Sequence, residues 1–255
     1  MNLIIIGSGT GIPLAHRASP ALVMTSPGGP VLFDMGPGTL RQLARIGIGH
    51  ERIERIFLSH FHPDHTADLI HFLFATRNPQ ILKKRDPFTI YAPRGFKAFL
   101  EGMESAYGTW IRIPEEIMRA EELDAADLDQ RTLPGFEVLS LPVPHTSRSL
   151  AFRVGASSSG TSFVYTGDTG FAPELAEFAK DCDVLISECS FPEGEGVEGH
   201  LTPSEAGRMA TLAGARKLVL VHFYPEVLAT DIVSQCRKTF EGELVLGRDF
   251  LHLAV

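Results

Sequence analysis

The stretch His60-Phe61-His62-Pro63-Asp64-His65 puts four good metal-ligand side chains within six residues, directly after the apolar run Arg55-Ile56-Phe57-Leu58-Ser59. In an extended chain successive side chains turn to opposite faces, so His60 and His62 point the same way. Pro63 forces a turn, beyond which Asp64 and His65 present a second pair nearby. Neutral imidazole nitrogen and carboxylate oxygen are the donors that zinc and its neighbours prefer. A histidine-rich surface turn is the plain alternative. This order of donors after a buried strand favours a metal centre.

Other ionisable residues fall at equivalent places. His145 follows Leu141-Pro142-Val143-Pro144, and Asp168 follows Phe163-Val164-Tyr165-Thr166-Gly167. Glu188 follows Val184-Leu185-Ile186-Ser187, and His222 follows Leu218-Val219-Leu220-Val221. Each stands at the carboxyl end of an apolar strand, the edge at which layered α/β folds deliver side chains to a common cleft. A single His or Asp at a strand end is usually an ordinary turn residue. Together with His60–His65, these residues make a ligand set large enough for two metals, an arrangement suited to clamping both sides of an in-line displacement.

The elements that must position them are short apolar runs ending in Gly, Pro, Asp or His. Leu3–Ile6, Val31–Phe33, Ile56–Leu58, Thr89–Tyr91, Glu137–Leu141, Ser162–Tyr165, Val184–Ile186 and Leu218–Val221 have the length and β-branched content of core strands. Helical patterning predicts Gly38–Ile46, Ala67–Ala75, Gly95–Ala106, Pro173–Ala179, Pro203–Leu212 and Thr230–Phe240. Thr202 is the expected cap of the helix that opens at Pro203. Ala156-Ser157-Ser158-Ser159-Gly160 reads as a hairpin turn. The segment 83–129, with an amphipathic look around Gly102–Ile117, is the least strand-like and reads as a peripheral helical layer. Strands and helices alternate, so the class is α/β with helices covering the sheets.

The 255 residues, 44% hydrophobic, suffice for a substantial core. With no repeat, low-complexity tract or long linker, one domain over 1–255 is expected. Cys182, Cys189 and Cys236 show no CxxC spacing, which argues against a disulfide framework and a thiolate zinc site. The opening Met1-Asn2-Leu3-Ile4-Ile5-Ile6-Gly7 lacks a basic start and a long apolar core, and no run approaches a membrane span. A cytoplasmic setting without membrane contact is the expectation. A net charge of −8 argues against a general basic face for long nucleic acid.

The order His60-x-His62-x-Asp64-His65, then His145, Asp168 and His222, resembles the motifs of the metallo-β-lactamase superfamily. That resemblance implies an αββα four-layer sandwich with a dinuclear site at one sheet edge. It further implies two Zn2+ ions per chain, with Mn2+ or Fe as alternatives. By motif, His60, His62 and His145 would hold one metal, Asp64, His65 and His222 the other, and Asp168 would bridge them. Within the superfamily the chain is most similar to the ribonuclease Z group and related phosphodiesterases. Gly7-Ser8-Gly9-Thr10-Gly11-Ile12-Pro13 with Arg17, and Phe33-Asp34-Met35-Gly36-Pro37-Gly38-Thr39, resemble that group's first motifs, in which the Asp is structural. Ser187-Glu188-Cys189-Ser190-Phe191 with Gly199-His200-Leu201-Thr202-Pro203, and Val221-His222-Phe223-Tyr224-Pro225, resemble its later ones. The likeness runs from Met1 to about Val227.

Water on zinc reaches a pKa of about 7, so a bridging hydroxide would attack phosphorus without a strong protein base. Asp64 would ligate and orient the nucleophile. The leaving alkoxide needs a proton, for which His200 is the candidate acid, oriented by Glu188. Arg148 and Ser149 are turn residues that could touch a phosphate. His16, His50, His71 and His252 carry no functional expectation, with His71 read as a helix residue near the cleft and Cys189 as a small apolar group. Gly7–Gly11 lacks a P-loop lysine and reads as a tight turn beside the cleft.

One departure from the pattern matters. Members that process tRNA extrude a long arm between the third and fourth metal motifs. Here a strand, a Ser/Gly turn and another strand fill the interval from His145 to Asp168. A small nucleotide, a cyclic nucleotide or a short single strand is therefore as good a phosphodiester substrate as an RNA 3′ end. An acyl hydrolase (thioester or lactone) and a non-catalytic metal-binding scaffold are the competing functions. Family likeness alone suggests a homodimer.

Overall fold

In the computed structural model, which describes residues 1–26 and 28–255, two seven-stranded sheets pack face to face. The first contains β1 (Asn2–Gly7), β2 (Ala21–Ser26), β3 (Gly29–Phe33), β4 (Arg55–Phe57), β5 (Phe88–Pro93) and β6 (Met118–Leu123). The second contains β7 (Asp129–Leu133), β8 (Phe136–Pro142), β9 (Leu150–Ala156), β10 (Ser162–Tyr165), β11 (Val184–Glu188), β12 (Lys217–Val221) and β13 (Glu243–Leu246). A final strand, β14 (His252–Ala254), returns to the outer edge of the first sheet beside β1.

Period-two alternation divides the apolar residues between layers. Leu3 and Ile5 join Phe33, Phe57, Phe136, Phe152 and Phe163 in the core between the sheets, whereas Ile4 and Ile6 face the opposite way. That outer face is covered by α1 (Thr39–Arg45), α2 (Pro63–Thr76) and, beyond the single turn α3 (Pro79–Leu82), α4 (Phe96–Tyr107). The outer face of the second sheet is covered by α5 (Pro173–Phe178) and α6 (Pro203–Ala213). The short helices α7 (Pro225–Leu228) and α8 (Ile232–Cys236) complete this layer. The order is helix, sheet, sheet, helix: the four-layer αββα sandwich. Each fully buried Phe contributes about 1.5–3 kcal/mol, and Phe33, Phe57 and Tyr91 stack in a continuous column between the sheets.

Strand direction brings the site together. In the second sheet β10, β11, β12 and β13 run parallel, and β8 shares their direction because β9 is antiparallel to both β8 and β10. Their carboxyl ends therefore lie along one edge. The end of β4 meets that edge, since Leu150 N–H donates to the Ser59 carbonyl at 2.9 Å. Gly36 permits one further close approach, because a Cβ there would lie 1.9 Å from the Asp64 carbonyl oxygen.

Several local expectations need correction. The helix expected over Ala67–Ala75 starts four residues earlier, at Pro63, so Asp64 and His65 occupy its first turn rather than a preceding loop. Proline is accommodated at N1, where its missing N–H costs nothing, and the carboxylate of Asp64 suits the positive end of the helix. The segment 83–129 is not a helical layer: besides α4 it supplies β5 and the edge strand β6. Met-Arg-Ala-Glu-Glu-Leu disguises an edge strand, whose charged outward residues discourage edge-to-edge pairing. Only Ile232–Cys236 of the expected helix Thr230–Phe240 is an α-helix of its own. The Thr202 cap forms as expected, as a capping box with Glu205, and residues 157–161 turn the chain between β9 and β10.

Candidate metal centre

All seven expected ligands converge. The Asp168 carboxylate, 3% exposed, stands between two groups of donors. Its Oδ2 lies 3.8 Å from His60 Nε2 and 3.7 Å from His145 Nε2, while its Oδ1 lies 3.2 Å from His65 Nε2 and 3.3 Å from His222 Nε2. His62 Nδ1 is 3.1 Å from His145 Nε2, and Asp64 Oδ2 is 3.5 Å from His222 Nε2. Two nitrogens bound at about 2.0–2.1 Å to a tetrahedral ion stand roughly 3.3 Å apart, so the His62–His145 spacing suits ligands of one cation. His60, His62, His145 and Asp168 form one group capable of holding a cation, and Asp64, His65, Asp168 and His222 form another.

The donor set fits metals by a second criterion. His60 Nε2, His65 Nε2, His222 Nε2 and Asp168 Oδ1 are buried and have no hydrogen-bond partner among the described residues. Such orphaned groups are costly unless something satisfies them. The far side of each ring is meanwhile fixed. His65 Nδ1 donates to Asp34 Oδ2 at 2.7 Å, and His145 Nδ1 donates to the Gly199 carbonyl at 3.0 Å. His60 Nδ1 is 3.0 Å from Ser59 Oγ, and His222 Nδ1 is 2.9 Å from Ser190 Oγ. A proton held on Nδ1 leaves the Nε2 lone pair for a cation, the arrangement that outer partners impose on metal-binding histidines.

Electrostatics before metal entry follow from this crowding. Burial, then the neighbouring His65, holds His60 well below the usual imidazole range. His65 is raised well above it: burial opposes its charge, but Asp168 and Asp34 on either side outweigh that cost. Asp168 is held well below the usual carboxylate range, with His222 and His65 overcoming the burial penalty. A cation entering at His65 would compete with a proton, so loading should weaken as pH falls.

Backbone strain marks the same place. His222 is a non-glycine residue at φ +58°, directly after β12. Such conformations persist where the surroundings dictate them, and they cluster at functional sites. Here the turn aims the imidazole at Asp64 and Asp168.

Glu188 and His200 also meet at this edge. Glu188 is the last residue of β11 rather than lying beyond it. Its Oε1 accepts from His200 Nδ1 at 2.9 Å and from Thr169 N–H at 2.8 Å; its Oε2 accepts from Ser190 Oγ at 2.5 Å and from Leu201 N–H at 3.1 Å. Burial disfavours the His200 cation, but the hydrogen bond and charge of Glu188 raise its pKa above the ordinary imidazole value. The His145 and His200 rings are 4.7 Å apart, centroid to centroid.

Other residues occupy less central places. Gly11 lies against the Asp64 side chain, as a tight turn beside the cleft would. Arg148 is exposed, with its guanidinium across Gly95, and Ser149 is buried, bonded to Thr146. His71 lies on α2 but is exposed rather than packed against the cleft, and Cys189 is buried among apolar side chains.

Sequence reasoning missed the supporting shell. Ser59 and Ser190 orient ligands, and both adjoin the motifs in sequence, which was the available signal. Tyr165 donates its hydroxyl to Asp34 at 2.7 Å across the sheets. Asp249, beyond the last recognised motif, accepts from Ser8 N–H, Ser8 Oγ, Ala18 N–H and Gln42 Nε2, tying the C-terminal segment to the glycine-rich loop.

Asp34 offers a direct test of this shell. Its carboxylate accepts from Ser59 N–H, Ser59 Oγ, His65 Nδ1 and Tyr165. Asn tolerates the φ of +57° found there, so Asp34→Asn removes charge and acceptor capacity without a new backbone cost. We expect a stability loss of about 1–3 kcal/mol in denaturant titration and a roughly 10–100-fold weaker metal affinity. Unchanged metal affinity would show that His65 needs no such partner.

Comparison with known proteins agrees with the fold. The sequence matches the family described as "Beta-lactamase superfamily domain" over residues 30–223. It is 28% identical to a ribonuclease Z of Methanosarcina mazei, over 100% of this chain and 98% of the relative. The metallo-beta-lactamase fold protein YhfI from Bacillus subtilis superposes with a TM-score of 0.84 at 25% identity, covering 99% of this chain and 98% of that one. Human tRNase Z, short form, superposes with a TM-score of 0.77, also at 25% identity, covering 100% and 99%. With two sheets between helical layers, the motifs in order and a family match over most of its length, the chain belongs to the beta-lactamase superfamily.

Proposed function

We propose that this chain is a dinuclear metal-dependent phosphodiesterase of ribonuclease Z type. The observation that carries the reading is the Glu188–His200 pair, set beside a carboxylate that offers one oxygen to each of two ligand groups. Cations, zinc by this nitrogen- and carboxylate-rich donor set, would be held by His60, His62 and His145 on one side and by Asp64, His65 and His222 on the other, with Asp168 shared. When bound, such ions polarise phosphoryl oxygens and acidify water to near neutrality.

The chain's own residues supply the rest. Asp64, partly exposed at the head of α2, would accept a hydrogen bond from the attacking water and align it. Glu188, an anion fixed by four donors, keeps the proton of His200 on Nδ1 and favours the cationic ring. His200 then delivers a proton from Nε2 to the departing alkoxide. An acyl hydrolase on the same scaffold would leave this pair idle.

The test is turnover of metal-loaded protein on a bis-aryl phosphate and a thioester side by side. We expect two metal equivalents per chain, hydrolysis of the phosphate, and loss of activity with a chelator that returns on adding zinc. Preference for the thioester would replace this reading with the acyl one. Fewer than two metals together with no hydrolysis would indicate a binding scaffold.

A further inference from the structure

The acid residue opens onto a cleft whose chemistry selects the leaving group. A cleft of about 860 Å³ lies between the His145 loop, Gly170-Phe171 and the loop Gly196–His200. A group that takes a proton from His200 must lie within its reach, so this cleft is the natural seat of the leaving group. Its walls include Pro144, Phe171 and Val197, which are apolar, and Glu198 and Glu205, which are acidic; no Lys or Arg among the described residues lines it. Val197 is 47% exposed, an apolar surface without a partner. Glu205 is occupied by Thr202 in the capping box, whereas Glu198 is exposed and forms no ion pair among the described residues. Glu193 and Glu195 add charge of the same sign to that loop.

Two exposed arginines border the cleft without lining it. The Arg208 guanidinium rests on the Phe171 ring at 4.7 Å from its centroid, and that of Arg148 lies across Gly95, beside a separate groove. Polynucleotide binding draws most of its affinity from Lys and Arg on successive phosphates. A second phosphate in this cleft would meet carboxylates instead, and like charges so placed are repelled. A neutral group with hydroxyl or amino donors meets apolar walls and a free carboxylate acceptor.

Resting on the phosphodiesterase reading above, we propose that the cleft beside His200 seats a neutral, hydroxyl-bearing leaving group, a nucleoside, from a substrate with a single phosphate, and that Glu198 excludes polynucleotides. In the reaction water adds to phosphorus, the bond from phosphorus to the nucleoside oxygen breaks, and that oxygen takes the proton held by His200. The products are a phosphomonoester and a nucleoside hydroxyl.

The experiment compares metal-loaded wild type and Glu198→Lys on three probes at low salt: a dinucleoside monophosphate, a ten-residue oligonucleotide of the same bases, and a bis-aryl phosphate. Wild type should favour the dinucleoside over the oligonucleotide, per bond, by roughly tenfold or more in kcat/KM, and Glu198→Lys should narrow that ratio severalfold, mainly through the KM of the oligonucleotide. Equal or better cleavage of the oligonucleotide by wild type, or an unchanged ratio in Glu198→Lys, overturns the proposal while bis-aryl hydrolysis still upholds the phosphodiesterase. Absence of bis-aryl hydrolysis overturns both.

Discussion

Asp168→Ala is expected to abolish measurable phosphodiester hydrolysis and to lower metal content from two equivalents to one or none. Its carboxylate belongs to both candidate ligand groups: Oδ1 stands 3.2 and 3.3 Å from the His65 and His222 nitrogens, and Oδ2 stands 3.8 and 3.7 Å from those of His60 and His145. It is also a buried anion among histidines, and removing one partner of such a set leaves the others uncompensated, at roughly 3–5 kcal/mol. Loss of about 4 kcal/mol of transition-state stabilisation alone gives roughly a 1000-fold fall in rate. Asp168→Asn separates shape from charge, because it keeps an oxygen ligand and loses the anion. It should retain one metal and an intermediate rate. Metal analysis after gel filtration, beside steady-state kinetics, checks both variants. Two tightly held metals in Asp168→Ala would show that the carboxylate is not shared.

Why the candidate ligands were legible in the sequence, and their supports were not, follows from range. His60 to His65 lie within one strand-to-helix turn, so local spacing alone announces them. His145, Asp168, Glu188 and His222 were readable because each ends an apolar run, and parallel strands must deliver such residues to one edge. The contacts that aim them are long-range. Tyr165 reaches Asp34 from the opposite sheet, and Asp249 reaches Ser8 and Gln42 from the far end of the chain. No periodicity encodes those pairings. The four layers were legible because alternating strands and amphipathic helices have few ways to bury their apolar faces. Edge strands were harder. β6 and β14 carry little apolar surface of their own and are strands because a neighbour offers unpaired backbone groups. Asp64 and His65 show a related limit: proline reads equally as a turn or as a helix start, and packing of α2 on the first sheet decides which.

His200→Ala is expected to divide substrates by the basicity of their leaving groups. A nucleoside alkoxide is strongly basic and cannot depart unprotonated, so its release should slow by roughly 10²–10⁴-fold, the usual contribution of a general acid. An aryl oxide is a far weaker base and needs little help, so bis-aryl phosphate hydrolysis and metal content should change little. This contrast excludes a structural role, since a disordered site would lose both activities. The pH profile makes a second, independent demand. The acid must be protonated, and Glu188 raises the pKa of His200 above the ordinary imidazole value against the opposing effect of burial. Its contribution is therefore complete at pH values below that raised pKa and is lost as pH rises through it. Wild type should show an alkaline limb on the nucleoside substrate that is absent from His200→Ala. Glu188→Gln keeps a hydrogen-bond acceptor but removes the charge, so the limb should move to lower pH while the bis-aryl rate holds. If His200→Ala slows both substrates equally with its metals in place, the ring acts on the phosphoryl group itself, and the proton reaches the leaving oxygen from elsewhere.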